Sequence, residues 1–402
     1  MPKLLQINVT ANWGSTGKIV EQIARLAMRS RWESYIVYGR YSNPSKSRLF
    51  KINSKLEVYE HYVENCLFDN EGLASRKATR KLVKWIKRIE PTIVHLHNLH
   101  DHYLNYPILF DGLKELGCPV VWTQHDCWAF TGGCTYNSII ECNQWKTECI
   151  RCPKRRGILL DRTNYQYNSK KQNIQKIKNI TLVPVSEWLA GELRQSFLRN
   201  CRIETILNGV DINVFKPTKA DIVRTKLGIG NYQFLLGVAS VWESRKGLQD
   251  YIKLASLLED NIKIVLVGLT EKQSRNLPVN IVPVPRTHNI QELVELYSEA
   301  EIVLNLSYEE TFGLTTVEGF ACGTPCIVYN CTASPELIIP ETGRVVEKGD
   351  IKGVYFAIKE ILVKGKKNMV AECRARAVEK YNKDKCFELY INLYNELIGN
   401  NG

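Results

Sequence analysis

Residues 4–9 read LLQINV, residues 12–19 read NWGSTGKI, and residues 18–30 read KIVEQIARLAMRS. An apolar run, a glycine-bracketed turn and a helical periodicity, in that order, make one βα unit. The rhythm repeats with YIVYG at 35–39, RKLVKWIKRIE at 80–90, TIVHLH at 92–97, VVWT at 120–123 and TLVPVS at 181–186. Strands alternating with helices predict a parallel sheet covered on both faces.

A second series begins past the midpoint with FLLGVAS at 234–240, GLQDYIKLASLLE at 247–259 and IKIVLVG at 262–268. It continues through NIVPV, IQELVELYSEA, EIVLNL, LTTVEGFAC and PCIVY, ending at residue 329. Between the two series, ETILNGVDINVFKP at 204–217 has no clear periodicity and is punctuated by Asn208, Gly209 and Pro217. The expected organisation is therefore two Rossmann-like α/β domains of doubly wound parallel sheet, facing a cleft. The first spans residues 1–207, a linker 208–217, and the second 218–382. A C-terminal helix over 383–402, carrying DKCFELYINLYNELI, is expected to pack back toward the first domain.

A chain of 402 residues with 44% hydrophobic and 24% charged residues has the balance of a globular protein. No apolar run approaches the ~20 residues of a membrane-spanning helix, and MPKLLQINVTANWG lacks the apolar region of a signal peptide. A cytoplasmic location with reduced thiols among the 13 cysteines is the expectation. Charge is uneven: residues 1–207 carry a net +13 and residues 208–402 a net −1, so an anionic partner is expected for the first domain alone.

The turn at 14–17 fails as a Walker A loop. Asn12 stands where its first glycine belongs, and Ile19 stands where a magnesium-binding Ser or Thr should follow Lys18. Gly14 and Gly17 can still open helix amides to an anion or sugar, or the turn can be a tight connection with Thr16 as N-cap. The most specific segment is YEETFGLTTVEGFACGTPC at 308–326. Gly313 leaves room for a ligand before a helix whose first amides, at Leu314 onward, suit a diphosphate. Glu318, one turn on, suits ribose hydroxyls, and Glu310 can grip hydroxyls at the other end. The alternative takes both glutamates as helix-end charges.

Together these segments resemble the retaining glycosyltransferases of family 4, with the two-Rossmann GT-B fold. The likeness rests on Glu310-Thr-Phe-Gly-Leu-Thr-Thr-Val-Glu318, the following Gly-Phe-Ala-Cys-Gly-Thr-Pro325, Asn208-Gly-Val-Asp211 with Phe215 and Pro217, and Arg245-Lys246-Gly247. It implies that Glu310 contacts the donor sugar, Glu318 holds the ribose and Lys246 neutralises the leaving diphosphate. Arg245, Phe312, Gly313 and Leu314 complete the donor side, with Gly14 and Gly17 opposite. The family's usual arginine, five residues before the lysine, is Val241 here.

In VVWTQHDCW at 120–128, His125 matches the family's cleft histidine and is expected to act catalytically beside Lys246 and Glu310, although a structural loop histidine is the alternative. Asp126, His97 and His100 are expected on the acceptor side; PTIVHLHNLHDHY at 91–103 also holds His95 and His102. The resemblance implies retention of configuration and a nucleotide-diphosphate sugar donor. Catalysis needs no metal where Lys246 and a helix terminus meet the phosphate charge.

Residues 126–160 form a small cysteine-rich insertion. Cys149-x-x-Cys152 with Cys134 and Cys142 suits a structural zinc, against free buried thiols. The insertion resembles that of colanic-acid-type exopolysaccharide glycosyltransferases, sharing His-Asp-x-Trp, Thr-Gly-x-Cys and Trp-Lys-Thr-x-Cys-x-x-Cys-Pro. SRKATRKLVKWIKRIE at 75–90 reads either as a basic amphipathic helix for an anionic inner-leaflet surface or as an ordinary sheet-covering helix. Lipid-linked acceptors, typical of such pathways, favour peripheral membrane attachment. The competing class, a basic zinc-knuckle nucleic-acid-binding protein, leaves Glu310, Gly313 and Glu318 without a role, so no nucleic-acid partner is expected.

Overall fold

The computed structural model describes residues 1–150, 152–154, 157–219 and 223–399. The chain divides into two compact units, Met1–Leu207 with Phe387–Gly402, and Asn208–Cys386.

The first unit is built on seven strands: β1 (Lys3–Asn8), β2 (Glu33–Tyr38), β3 (Arg48–Lys51), β4 (Ile93–Leu96), β5 (Val120–Gln124), β6 (Ile180–Pro184) and β7 (Arg202–Ile203). They lie in the order β3-β2-β1-β4-β5-β6-β7, and every pairing is parallel. In β1, β4, β5 and β6 nearly every residue is buried, because helices cover both faces. Gln6 and His95 are therefore polar side chains enclosed in a sheet, and each has to find its partners inside.

The second unit holds β8 (Gln233–Val238), β9 (Ile262–Val267), β10 (Ile281–Val284), β11 (Ile302–Asn305), β12 (Cys326–Tyr329) and β13 (Gly343–Val346). The order β10-β9-β8-β11-β12-β13 repeats that of the first six strands of the other unit, again all parallel. In each sheet the order reverses beside the first strand, between β1 and β4 and between β8 and β11. At such a reversal the connecting loops part and leave a crevice at the carboxyl ends of the strands.

Residues 208–217 are tied to the second unit. Arg374 donates to the carbonyls of Ile212, Phe215 and Ala321 at 2.8, 2.7 and 2.7 Å, and Lys383 Nζ pairs with Asp211 at 2.6 Å. The last helix, Lys383–Gly399, starts in the second unit and continues in the first. There Tyr394 and Tyr390, one turn apart, reach the hydrogen-bond network of His95 and Thr123.

The helix Arg76–Ile89 packs on its own unit through its apolar side. Its apolar residues Ala78, Leu82 and Ile86 are buried within the unit, and Trp85 stacks on Phe50 with ring centroids 4.5 Å apart. Val83, Trp85 and Ile89 of the same stripe are half-buried. Arg76, Lys77, Arg80, Lys81, Lys84, Lys87 and Arg88 are all exposed. Among the described residues, no helix is long and apolar enough to cross a membrane.

Candidate active site

In the second unit the crevice at the β8/β11 reversal is lined by two loops. The one after β8 ends in a short turn, Ser244–Lys246, closed by Gly247 at φ +70°. A Cβ on Gly247 would lie 2.1 Å from the Leu306 carbonyl oxygen, so only glycine lets this turn rest against the end of β11. The Tyr308 N–H donates to the Arg245 carbonyl at 2.8 Å, joining the two loops. Lys246 Nζ donates to Glu310 Oε1, and both side chains are largely sheltered from solvent. Arg245 instead pairs with Glu243 at 2.9 Å.

Glu310 is held through its backbone: its N–H donates to Thr332 Oγ1 at 2.9 Å, and its carbonyl accepts from Ala333 N–H at 3.1 Å. Gly313, at φ +99°, caps the helix Leu314–Ala321, and no side chain bonds to that cap. The first-turn amides of this helix carry its positive end. Glu318 sits one turn on, half-buried, and accepts a 2.7 Å hydrogen bond from Tyr297 Oη. A lysine, uncapped helix amides and an oriented carboxylate on one rim can take a diphosphate and a diol. Phe312 is not part of that rim: it is buried and meets Tyr381 edge-on. Leu314 is half-buried at the helix start.

In the first unit, His97, His100, His125 and Asp126 line one small pocket past the ends of β4 and β5. Asp126 is committed to its neighbours. Its Oδ1 accepts from Trp128 N–H and its Oδ2 pairs with His100 Nε2, both at 2.8 Å. Burial opposes charge on His100, but Asp126 and Asp101 outweigh it and hold its pKa well above the ordinary value, leaving an imidazolium at neutral pH. His125 goes the other way. Burial lowers it to about 4, only partly offset by Asp126, so its ring is neutral at pH 7. His97 is likewise held well below the ordinary value by burial and by the neighbouring His95 and His125. Just beside them, His102 pairs with Glu71 at 2.9 Å, and despite burial this holds the Glu71 carboxyl at about 2.

Two family models match the chain, Glycosyltransferase Family 4 over residues 16–214 and Glycosyl transferases group 1 over residues 220–379. The chain belongs to these glycosyltransferases. A putative colanic acid biosynthesis glycosyl transferase, WcaC of Escherichia coli K12, is 22% identical over 98% of this chain and 100% of its own length. An N,N'-diacetylbacillosaminyl-diphospho-undecaprenol alpha-1,3-N-acetylgalactosaminyltransferase of Campylobacter jejuni is 24% identical over 52% of this chain and 60% of its own. Among solved structures, Anabaena HepE in complex with UDP and glucose superimposes with a TM-score of 0.69 at 15% identity. That match covers 98% of this chain and 100% of HepE, and it places the glycosyltransferase in the same two-domain fold.

The glycine turn of this glycosyltransferase is not capped by Thr16. The helix starts at Gly14, with Trp13 at the N-cap and no side-chain cap, so Thr16 lies inside the first turn and does not close it. Gly14 is exposed at φ +67°, whereas Gly17 is buried, and a Cβ there would lie 2.6 Å from Thr10 Oγ1. Gly17 therefore serves close packing between helix and loop and has no surface to offer a ligand.

Cys134, Cys142, Cys149 and Cys152 do line one cavity, with Trp145 at its wall. They do not stand as ligands: among the described residues no group of three His, Cys, Asp or Glu is arranged to hold a metal ion. Cys149 Sγ accepts the Gly132 N–H at 3.2 Å, and burial pushes its thiol up to about 11. The tetrahedral set expected from Cys-x-x-Cys spacing is thus gathered without being closed. Gln6, Tyr297, Tyr390 and Tyr394 were missed at the level of sequence. The visible signals were a polar residue inside an apolar strand and tyrosines four residues apart on the last helix.

Proposed function

We propose that this glycosyltransferase moves a sugar, with retention of anomeric configuration, from a nucleoside-diphosphate sugar to a saccharide acceptor in the assembly of a bacterial surface polysaccharide. The observation that carries the donor side is the Lys246–Glu310 pair beside the uncapped helix at Gly313. Lys246 and the helix amides stabilise the charge that grows on the departing diphosphate, and Glu318, aimed by Tyr297, holds the ribose. On entry of the sugar, Glu310 exchanges its bond to Lys246 for the sugar hydroxyls. The family resemblance is what supports a catalytic role for His125, whose ring is neutral in the first unit. No step draws on a metal ion.

Retention is supported by the resemblance of the Glu310–Glu318 segment. A lipid-linked acceptor is supported by the Campylobacter relative, whose name gives a diphospho-undecaprenol acceptor. Attachment at an anionic inner-leaflet surface is supported by the seven outward cations of the helix Arg76–Ile89. A structural zinc in the cysteine loop is supported by the gathering of four thiols about one cavity, and binding it requires the metal to draw them together. One equivalent of zinc in protein purified under reducing conditions supports that site, and none removes it.

The donor assignment is tested by thermal shift with UDP and GDP against single-stranded DNA, then by mass spectrometry of products from a panel of nucleotide sugars. Stabilisation by a nucleoside diphosphate that is lost in Lys246→Ala supports the reading. Stabilisation by DNA alone refutes it.

A further inference from the structure

Thr332 lies in the loop that follows β12, and its backbone stands at φ +46°. Glycine takes left-handed backbone freely and Asn or Asp tolerate it, but a branched β-carbon is crowded there by its own peptide groups. Among the described non-glycine residues with positive φ, Thr332 alone has a β-branched side chain. Strain of this kind persists only where the surroundings enforce it. They do so on both sides of the residue. The Asn330 N–H donates to the Val346 carbonyl at 2.6 Å, and its side-chain amide donates to Glu347 Oε1 at 2.8 Å. Cys331 Sγ donates to the Ser307 carbonyl at 3.1 Å, and the Ser334 N–H donates to the Cys331 carbonyl at 3.2 Å.

The strained conformation accompanies a hydrogen bond to Glu310. Thr332 Oγ1 accepts the Glu310 N–H at 2.9 Å, and the next residue, Ala333, donates its N–H to the Glu310 carbonyl at 3.1 Å. Two consecutive residues of one loop thus take both backbone groups of a residue on the neighbouring strand-to-helix connection. The Glu310 backbone is fixed by that clasp, and its carboxylate meets Lys246 Nζ from a set position. We infer that Thr332 is a positioning residue of the donor crevice, its hydroxyl fixing Glu310 against Lys246. The inference rests on the proposed role of that pair in holding the donor, whereas the clasp itself lies within the second unit. Different atoms of Thr332 carry the two effects: the methyl group causes the crowding, and the hydroxyl holds Glu310. Glycine at this position relieves the backbone and removes the acceptor from the half-buried Glu310 N–H; serine removes the methyl and keeps the acceptor.

The test compares full-length Thr332→Gly, Thr332→Ser and wild type. Both variants should melt within a few degrees of the wild type, because relief of the crowding offsets what each change removes. Exchange of the Glu310 amide, followed by NMR, should speed up about tenfold in the glycine variant and stay unchanged in the serine variant, since one ordinary hydrogen bond maintains about that preference. With the best donor from the nucleotide-sugar panel, kcat/KM should fall about tenfold in the glycine variant and return to about the wild-type value in the serine variant. Thr332→Val, which keeps the branched shape and lacks the hydroxyl, should follow the glycine variant, so the contrast with serine stands even where the glycine variant does not fold. Equal transfer in the serine variant and the folded hydroxyl-free variants, or a Glu310 amide indifferent to loss of the hydroxyl, overturns the inference. Absence of transfer in the wild type with every donor overturns the proposed function instead and leaves the amide measurement standing.

Discussion

Acidification from pH 7.5 to pH 5 should loosen the first unit through His125, and the size of the effect follows from its burial. The imidazole has an ordinary pKa of 6.5 in the unfolded chain and about 4 in the folded one. A depressed histidine means that the unfolded state binds the proton first. The stability His125 contributes is therefore intact above about pH 6.5 and is lost progressively as pH falls toward 4. At pH 5 nearly all unfolded chains carry the proton and few folded ones do, which amounts to about 2 kcal/mol.

His95 and His97 act in the same direction, since burial lowers both. His100 acts in the opposite direction. Its raised pKa makes its pairing with Asp126 and Asp101 fully stabilising below 6.5 and less so as pH rises. The total slope therefore mixes signs, and the informative quantity is the difference between wild type and His125→Gln. Amide exchange of peptides spanning β4 and β5 reads it: wild-type protection relative to the variant should fall by about thirtyfold between pH 7.5 and 5, the equivalent of about 2 kcal/mol. Equal pH dependence in the two proteins refutes the argument that burial of this ring is paid in proton affinity.

Three further outcomes are expected. Gly247→Ala forces a Cβ to 2.1 Å from the Leu306 carbonyl and should destabilise the second unit by about 3 kcal/mol or more, read as a lost or lowered thermal transition. Tyr297→Phe removes the 2.7 Å bond to Glu318 and should weaken nucleoside-diphosphate binding by about fivefold to tenfold in calorimetry while the protein stays folded. Replacing Lys77, Lys81 and Lys84, three exposed cations of the helix Arg76–Ile89, with glutamine should release the protein from vesicles containing phosphatidylserine, at about 1 kcal/mol per charge. It should change nothing with purely zwitterionic vesicles.

The fold was open to reading because its signals are local. Runs such as LLQINV and IKIVLVG are buried on both faces, and that alone distinguishes a covered parallel strand from an exposed antiparallel one. The donor crevice was legible for a similar reason: Glu310, Gly313 and Glu318 fall within nine residues of one strand-to-helix connection. The outward side of the basic helix was harder. Periodicity showed an apolar stripe between Leu82 and Ile89, but a stripe that packs on a sheet and one that meets a bilayer have the same period.

Spacing along the chain determined the two α/β units and the helix opening at Gly313, because each depends on neighbours within a few residues. Tertiary structure alone decided what each polar group does once folded. It set Lys246 against Glu310, turned Asp126 into the partner of His100, and left the four cysteines around a cavity without closing them into a ligand set. It also joined Gln6, His97 and His125, residues 91 and 28 positions apart, into one hydrogen-bonded line. Hydrogen-bond polarity and proton affinity depend on burial and on which group lies opposite, and neither is a property of a residue's neighbours along the chain.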